Sequence, residues 1–260
     1  MIALAILVKE AFEWSSGDPG ALDVRSLVGM LMCFAAAVAT FASTLSTDGS
    51  KLPGKPVLAV DLDECCCGYL PAFIKFSNAT CGTKLELEDF TSYMFWEVPK
   101  AKLADRDAAT ERVYAFHASK YFDQIEPFSD AKIALGVLKE RFELHVVTSR
   151  QADIEDQTRE FVEKHFPGVF TELHFGNHFG REGKKTSKPD MCAKIGAVAL
   201  IDDSIDYARQ CAEAGLPVFL FGQYGWNQSS EPLSPLITRV YTWRMAAQLV
   251  TPELVDVTRT

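Results

Sequence analysis

Val57-Leu58-Ala59-Val60-Asp61-Leu62-Asp63-Glu64 is an apolar run that ends in two carboxylates separated by one leucine. From Val57 to Leu62 it has the length and β-branched content of a buried strand. Four similar runs follow: Glu143 to Thr148, Glu172 to Phe175, Val198 to Ile201 and Val218 to Phe221. Helical patterns lie between them. Ala131, Ile133, Leu135 and Leu138 mark one helix. Ile154, Phe161, Val162 and Phe166 mark a second, closed by His165 and Pro167. Ile205, Ala208, Ala212 and Gly215 mark a third with its stop. Alternating strands and helices predict an α/β fold, a doubly wound parallel sheet covered on both faces.

One interval breaks the alternation. Cys65 to Phe142 reads as helical and unusually aromatic, with Phe73, Phe76, Phe90, Tyr93, Phe95, Trp96, Tyr114, Phe116, Tyr121 and Phe122. Ligands of open α/β sheets bind beyond the carboxyl ends of the strands, so an insertion after the first strand is expected to cap the site. The predicted organisation is an extension over 1–56, a core over 57–66 and 126–230, an inserted helical cap over 67–125 and a packing segment over 231–260. Most of the cap's aromatics are expected to form its own core, and the cluster from Tyr93 to Trp96 to meet substrate.

The strand ends share one edge of a parallel sheet. That edge therefore collects Asp61 and Asp63, then Thr148 with Ser149 and Arg150, then Asp202 and Asp203, with Lys188 just before the fourth strand. Taken singly, each is an ordinary turn or helix-cap residue. Their ordered combination is specific. Four carboxylates in one small volume repel one another unless protons or a cation intervene, and all-oxygen ligation favours Mg²⁺. Lys188 supplies further positive charge.

These four motifs, Asp61-Leu62-Asp63, Thr148, Lys188 and Asp202-Asp203, resemble those of the haloacid dehalogenase (HAD) superfamily over roughly 57–226. The helical insertion, Phe95-Trp96 and Ile201-Asp202-Asp203 resemble its deoxyribonucleotidase-like 5'-nucleotidase branch. Glu64 to Cys67 stand where that superfamily usually has Gly-Val or Gly-Thr. The resemblance implies that Asp61 forms an aspartyl-phosphate, Asp63 serves as general acid and base, Thr148 and Lys188 hold the phosphate, and Asp61, Asp63 and the Asp202-Asp203 pair hold Mg²⁺. Which of that pair ligates directly stays open. Phe95, Trp96, Ser149 and Arg150 are the expected substrate contacts. An acid at position 63 points to a phosphatase or phosphomutase, because a departing halide needs no proton.

Three readings follow: a phosphatase for a small phosphorylated metabolite, with nucleoside 5'-monophosphates first because an aromatic cap can stack a base; a phosphatase for a sugar phosphate or other metabolite; and a HAD-like scaffold without turnover. A net charge of -9 disfavours a nucleic-acid polymer as partner. Seven cysteines, three of them adjacent at 65 to 67, predict reduced thiols and an intracellular, cytoplasmic setting. The loop from Gly176 to Ser187, with His178, Arg181, Lys184 and Lys185, reads equally as a phosphate grip or a solvated loop. His174 and His178 read as structural. The apolar segment 27–45 leaves a weak membrane anchor, a targeting segment, a packed helix and an extension open, while Glu10, Glu13, Asp18 and Asp23 ahead of it argue against a simple secretory leader or a mitochondrial presequence. Oligomeric state is not legible.

Overall fold

The computed structural model describes residues 54–251. The N-terminal apolar segment 27–45 lies outside the described residues. Six parallel strands form the sheet: β1 (Val57–Val60), β2 (Glu143–Thr148), β3 (Glu172–Phe175), β4 (Ala197–Asp202), β5 (Val218–Phe221) and β6 (Ile237–Val240), in the order β3-β2-β1-β4-β5-β6. The chain thus winds first to one side of β1 and then to the other. Among the described residues, no helix is long and apolar enough to cross a membrane.

The two-residue period of the strands separates two cores. Leu58, Val60, Leu144, Val146 and Ile201 bury on one face; Ala59, Val147, Leu200, Val218 and Leu220 bury on the other. The first face is covered by α3 (Ser129–Leu138) and α7 (Trp243–Leu249), which pack together. The second is covered by α5 (Lys188–Lys194) and α6 (Ile205–Glu213). α4 (Glu155–His165) connects β2 to β3. At the end of α6, Gly215 takes φ +81°. Its N–H donates to Ala212 O and that of Leu216 to Cys211 O, the glycine-terminated double bond that stops a helix.

Between β1 and β2 the insertion is helical, as expected, with α1 (Tyr69–Thr80), α2 (Arg106–His117) and short 3₁₀ turns at Leu87–Asp89, Phe95–Glu97 and Pro99–Ala101 before α3. Phe73, Phe76 and Phe116 interlock at ring separations of 5.6 to 6.5 Å, so these rings are the cap's own core.

Two expectations need correction. The stretch after residue 230 contains a strand, β6, as well as the packing helix. Its short run Ile237-Thr238-Arg239-Val240 follows a Ser- and Pro-containing turn that disguises it. Ile133 is not a core residue of α3: it is 74% exposed, and the buried face is Ala131, Ala134, Leu135 and Leu138. That spacing of three and four is the helical one, whereas pairing 131 with 133 follows a strand period.

Core and cap meet at Gly225. A Cβ there would lie 2.5 Å from the backbone oxygen of Phe90 in the cap, a clash that only backbone movement relieves. Gly136, within α3, has nothing within 4 Å of its missing Cβ. Gly225→Ala is therefore expected to cost about 1–3 kcal/mol, whereas Gly136→Ala gains about 0.5–1 kcal/mol from helix propensity. Thermal unfolding of the two variants checks the opposite signs.

Candidate active site

The site forms where β1, β2 and β4 end. Asp61 leaves β1 with its N–H still bonded to Ile201 O of β4 at 2.9 Å, which fixes its position against Asp202. Lys188 is placed by a helix start: Ser187 caps α5 by accepting from Asp190 N, and Pro189 sits in the first turn. Ser204 likewise caps α6 by accepting from Tyr207 N, leaving Asp202 and Asp203 just ahead of the helix.

Lys188 is fully buried, with Nζ 2.5 Å from Asp202 Oδ2 and 2.9 Å from Asp61 Oδ1. Burial alone would pull its pKa down; Asp202 and Asp61 outweigh that and hold it well above its ordinary value. Its Nζ also stands 4.8 Å over the ring of Tyr207, whose hydroxyl pairs with His178 Nδ1 at 2.7 Å. The other oxygen of Asp202 accepts from Ser204 N at 2.8 Å, so both of its oxygens are engaged.

Asp63 is held by Arg150 through a fork, Nε to both carboxylate oxygens at 3.0 and 3.2 Å and Nη2 to Oδ1 at 2.6 Å. Arg150 is buried, gives Nη1 to Thr158 Oγ1, and lies 5.3 to 5.9 Å from the ring centres of Phe122, Tyr69 and Phe161. Its backbone N–H donates to Thr148 Oγ1, leaving that hydroxyl's own proton free to point elsewhere.

The charges can be counted. Lys188 and Arg150 answer Asp202 and Asp63. Asp61 shares Lys188 with Asp202, and among the described residues neither Asp203 nor the buried Glu64 has an ion-pair partner. Burial first, then the neighbouring Asp202 and Asp63, push Asp61 up to about 7 against the pull of Lys188. Burial, Asp202 and Asp61 push Asp203 well above its ordinary range, although Trp226 Nε1 donates to its Oδ2 at 2.7 Å. The side-chain ligand atoms of Asp61, Asp203 and Cys65 lie within 4.8 Å of one another. Burial followed by the three aspartates Asp203, Asp61 and Asp202 raises the Cys65 thiol, so it stays protonated and the charged donors are the two hard carboxylates. That donor set fits a hard divalent cation.

Asp63, Asp203, Ser149, Arg150, Phe95 and Trp96 line one cleft, together with Tyr69, Met94, Gln151, Phe179 and Trp226. Phe95 also packs 4.7 Å from Phe73 and 5.4 Å from Phe90, so it belongs partly to the cap's core. All ten residues singled out in the sequence therefore stand at the cleft or directly beneath it. Tyr69 is not among them; the stretch from Phe221 to Trp226 follows a strand and is expected to border the pocket, but nothing in its sequence marks Trp226 as the partner of Asp203. The loop at 176 to 187 clasps the cap: Arg181 pairs with Glu111 at 2.5 Å and its N–H donates to Tyr114 Oη.

Glu64 carries a positive φ of 57°, a conformation that glycine takes at no cost. It keeps that conformation while accepting from Leu70 N at 2.7 Å, near the start of α1. A glutamate thus occupies a positive-φ position of the turn after β1.

The model of the 5'-nucleotidase, deoxy (pyrimidine), cytosolic type C family matches residues 55–210, more than half of the chain. The chain belongs to this family. As a member of the cytosolic type C 5'-nucleotidases it is a HAD-type phosphoric monoester hydrolase. Its fold is similar to that of a predicted phosphatase from Clostridium acetobutylicum, with 16% identity, a TM-score of 0.55 and coverage of 75% of this chain and 98% of that one. It is also similar to a haloacid dehalogenase-like hydrolase from Streptococcus pneumoniae, with 13% identity, a TM-score of 0.56 and coverage of 75% and 98%. At such identities these likenesses speak for the fold alone. None of the curated protein sequences matches the chain significantly.

The Arg150–Asp63 fork yields a stability prediction. Arg150→Met leaves Asp63 without its partner and is expected to cost about 3 kcal/mol, as breaking buried pairs does. Arg150→Lys, which cannot form the fork, should cost less than Arg150→Met but more than nothing. Calorimetric unfolding at neutral pH checks the ranking.

Proposed function

We propose that the protein is a Mg²⁺-dependent phosphatase that hydrolyses nucleoside 5'-monophosphates through a phosphoryl-Asp61 intermediate. The observation that carries this reading is the charge excess: Asp61 and Asp202 share the one ammonium of Lys188, Asp203 has no ion-pair partner among the described residues, and the ligand atoms of Asp61 and Asp203 lie within 4.8 Å of one another. Asp203, rather than Asp202, whose two oxygens are engaged by Lys188 and Ser204, is thereby assigned as the direct ligand. Mg²⁺ held by Asp61, Asp203 and the backbone carbonyl of Asp63 would screen charge on the substrate phosphate.

The protein's own residues divide the remaining work. Lys188 keeps Asp61 oriented and offers its ammonium to the phosphate, and Thr148 donates its hydroxyl proton to a phosphoryl oxygen. Asp61 attacks phosphorus while the ester P–O bond breaks and the leaving oxygen takes a proton from Asp63. Asp63, now a carboxylate, takes a proton from water as the water oxygen attacks phosphorus, which frees phosphate and restores Asp61. Arg150 holds Asp63 in place through its two-pronged contact.

The cleft supports the substrate class. Its wall is aromatic and apolar at Trp96, Phe95, Met94 and Tyr69, a surface on which a flat base stacks, and the family name itself points to deoxypyrimidine nucleotides. All six described cysteines are free thiols, which supports an intracellular setting.

Asp61→Asn is expected to lower Mg²⁺-dependent hydrolysis of p-nitrophenyl phosphate by about a thousandfold or more; undiminished turnover would remove Asp61 from the mechanism. Trp96→Ala should raise KM for nucleoside 5'-monophosphates about tenfold, the loss of one base-stacking contact, with little change for p-nitrophenyl phosphate. Steady-state kinetics across a panel of phosphate esters checks both, and a preference for a sugar phosphate over every nucleotide would overturn the substrate assignment.

A further inference from the structure

A second cluster of metal-binding side chains lies away from the cleft, on the edge of the sheet. β3 is an edge strand, and its register with β2 sets His145 opposite Glu172 and Val147 opposite His174. Residues two apart share a face, so His145, Glu172 and His174 project on the same side, the side on which Val147 is buried. His145 is three residues ahead of Thr148, about 10 Å along the strand.

The nitrogens converge. His145 Nδ1 lies 3.0 Å from His174 Nε2, and one carboxylate oxygen of Glu172 stands 3.7 Å from the same Nε2. The ligand atoms of all three residues are within 4.8 Å of one another. The far nitrogen of His145, Nε2, meets Glu143 Oε1 at 3.1 Å. That contact places the His145 proton on Nε2 and turns the Nδ1 lone pair towards His174. A carboxylate behind a histidine in this way is how proteins orient an imidazole for a metal.

We infer that His145, His174 and Glu172 form a site for a zinc-class divalent cation, with Glu143 orienting His145 from behind. Two imidazoles and a carboxylate suit Zn²⁺ or Co²⁺ and not Mg²⁺, and three protein ligands leave a fourth position for water. Two nitrogens bound to a tetrahedral zinc lie about 3.3 Å apart, given bonds of about 2.0–2.1 Å. The pair must therefore separate by only a few tenths of an ångström, and as the cation binds, the proton of His174 passes from Nε2 to Nδ1, so that both imidazoles stay neutral. Access is from the open edge: the side chain of Glu172 is 62% exposed, while those of His145 and His174 are 8% and 13% exposed. Positive neighbours of His174 are Lys194 and Arg159, but Arg159 is engaged by Glu155. Glu143 and Glu172 outweigh the remaining lysine. The consequence is a clip across two strands, one of which ends in Thr148.

The test uses the full chain, stripped with a chelator and held in saturating Mg²⁺, titrated with Zn²⁺ by calorimetry and with Co²⁺ by visible absorption. The expected result is one site per chain that survives Asp203→Asn, which separates it from the catalytic carboxylates. His174→Ala should weaken it by about a hundredfold or more, and Glu143→Gln by about tenfold. Glu172→Gln changes an exposed side chain that the fold does not need, so it keeps the test valid if the histidine variant fails to fold; it too should weaken binding and abolish the rise in Tm that Zn²⁺ produces. Absence of binding, or binding lost in Asp203→Asn and unchanged in Glu172→Gln, would overturn the site and leave His145 and His174 as a hydrogen-bonded pair. Neither outcome bears on the phosphatase reading, which Asp61→Asn tests separately.

Discussion

A fully buried ammonium needs its charge answered on the spot, and that requirement at Lys188 organises the centre of this molecule. Asp202 and Asp61 answer it from two adjacent strands, so β4 and β1 must end level with one another. The bond from Asp61 N to Ile201 O keeps them level. Once Asp202 is consumed by Lys188 and by the start of α6, Asp203 becomes the carboxylate that faces the cleft. The chemistry assigned to Asp61 follows from this arrangement, since a nucleophilic carboxylate must be buried enough to exclude water yet kept from full neutralisation.

The fold was legible where strand ends carried unusual side chains. Asp61, Thr148 and Asp202 could be placed because each closes a short apolar run, and parallel strands bring their carboxyl ends to one edge. Lys188 could be placed because it falls in the short interval just before the fourth strand. Partner choice was not legible. Arg150 and Asp63 are 87 positions apart, and whether that arginine meets a substrate or an aspartate depends on the path of the loop after β2. A local pattern also misled at α3, where Ala131 and Ile133 suggested one face and Ala131 and Ala134 share it. The strand β6 was hidden because four residues after a turn carry too little periodicity to stand out.

The cap illustrates a different limit. Its aromatics are conspicuous in the chain, but ring packing divides them into two kinds that composition cannot separate. Phe73, Phe76 and Phe116 face one another, while Trp96 faces the cleft and Phe95 touches both. Three adjacent buried thiols, Cys65 to Cys67, look like a metal motif and are instead small side chains packed beneath the cap; Cys67 Sγ lies 3.6 Å from Asp63 Oδ1.

Cap and catalytic core are joined by three consecutive residues after β5, and their contacts explain why the two are interdependent. Tyr224 donates its hydroxyl proton to Glu64 O in the turn after β1. Gly225 lies against the backbone of Phe90 in the cap. Trp226, stacked on Tyr224 at 4.5 Å, donates to Asp203. A displacement of the cap at Phe90 therefore presses on the same turn that holds a site carboxylate, and a displacement of Asp203 pulls on the ring stacked over the Glu64 contact. Glu64 in turn holds the start of α1 through Leu70 N, which returns the linkage to the cap. The cap at Phe90 and the carboxylate of Asp203 are in this way linked through one short turn, so a change in cap packing reaches the charge centre without any residue of that centre being altered.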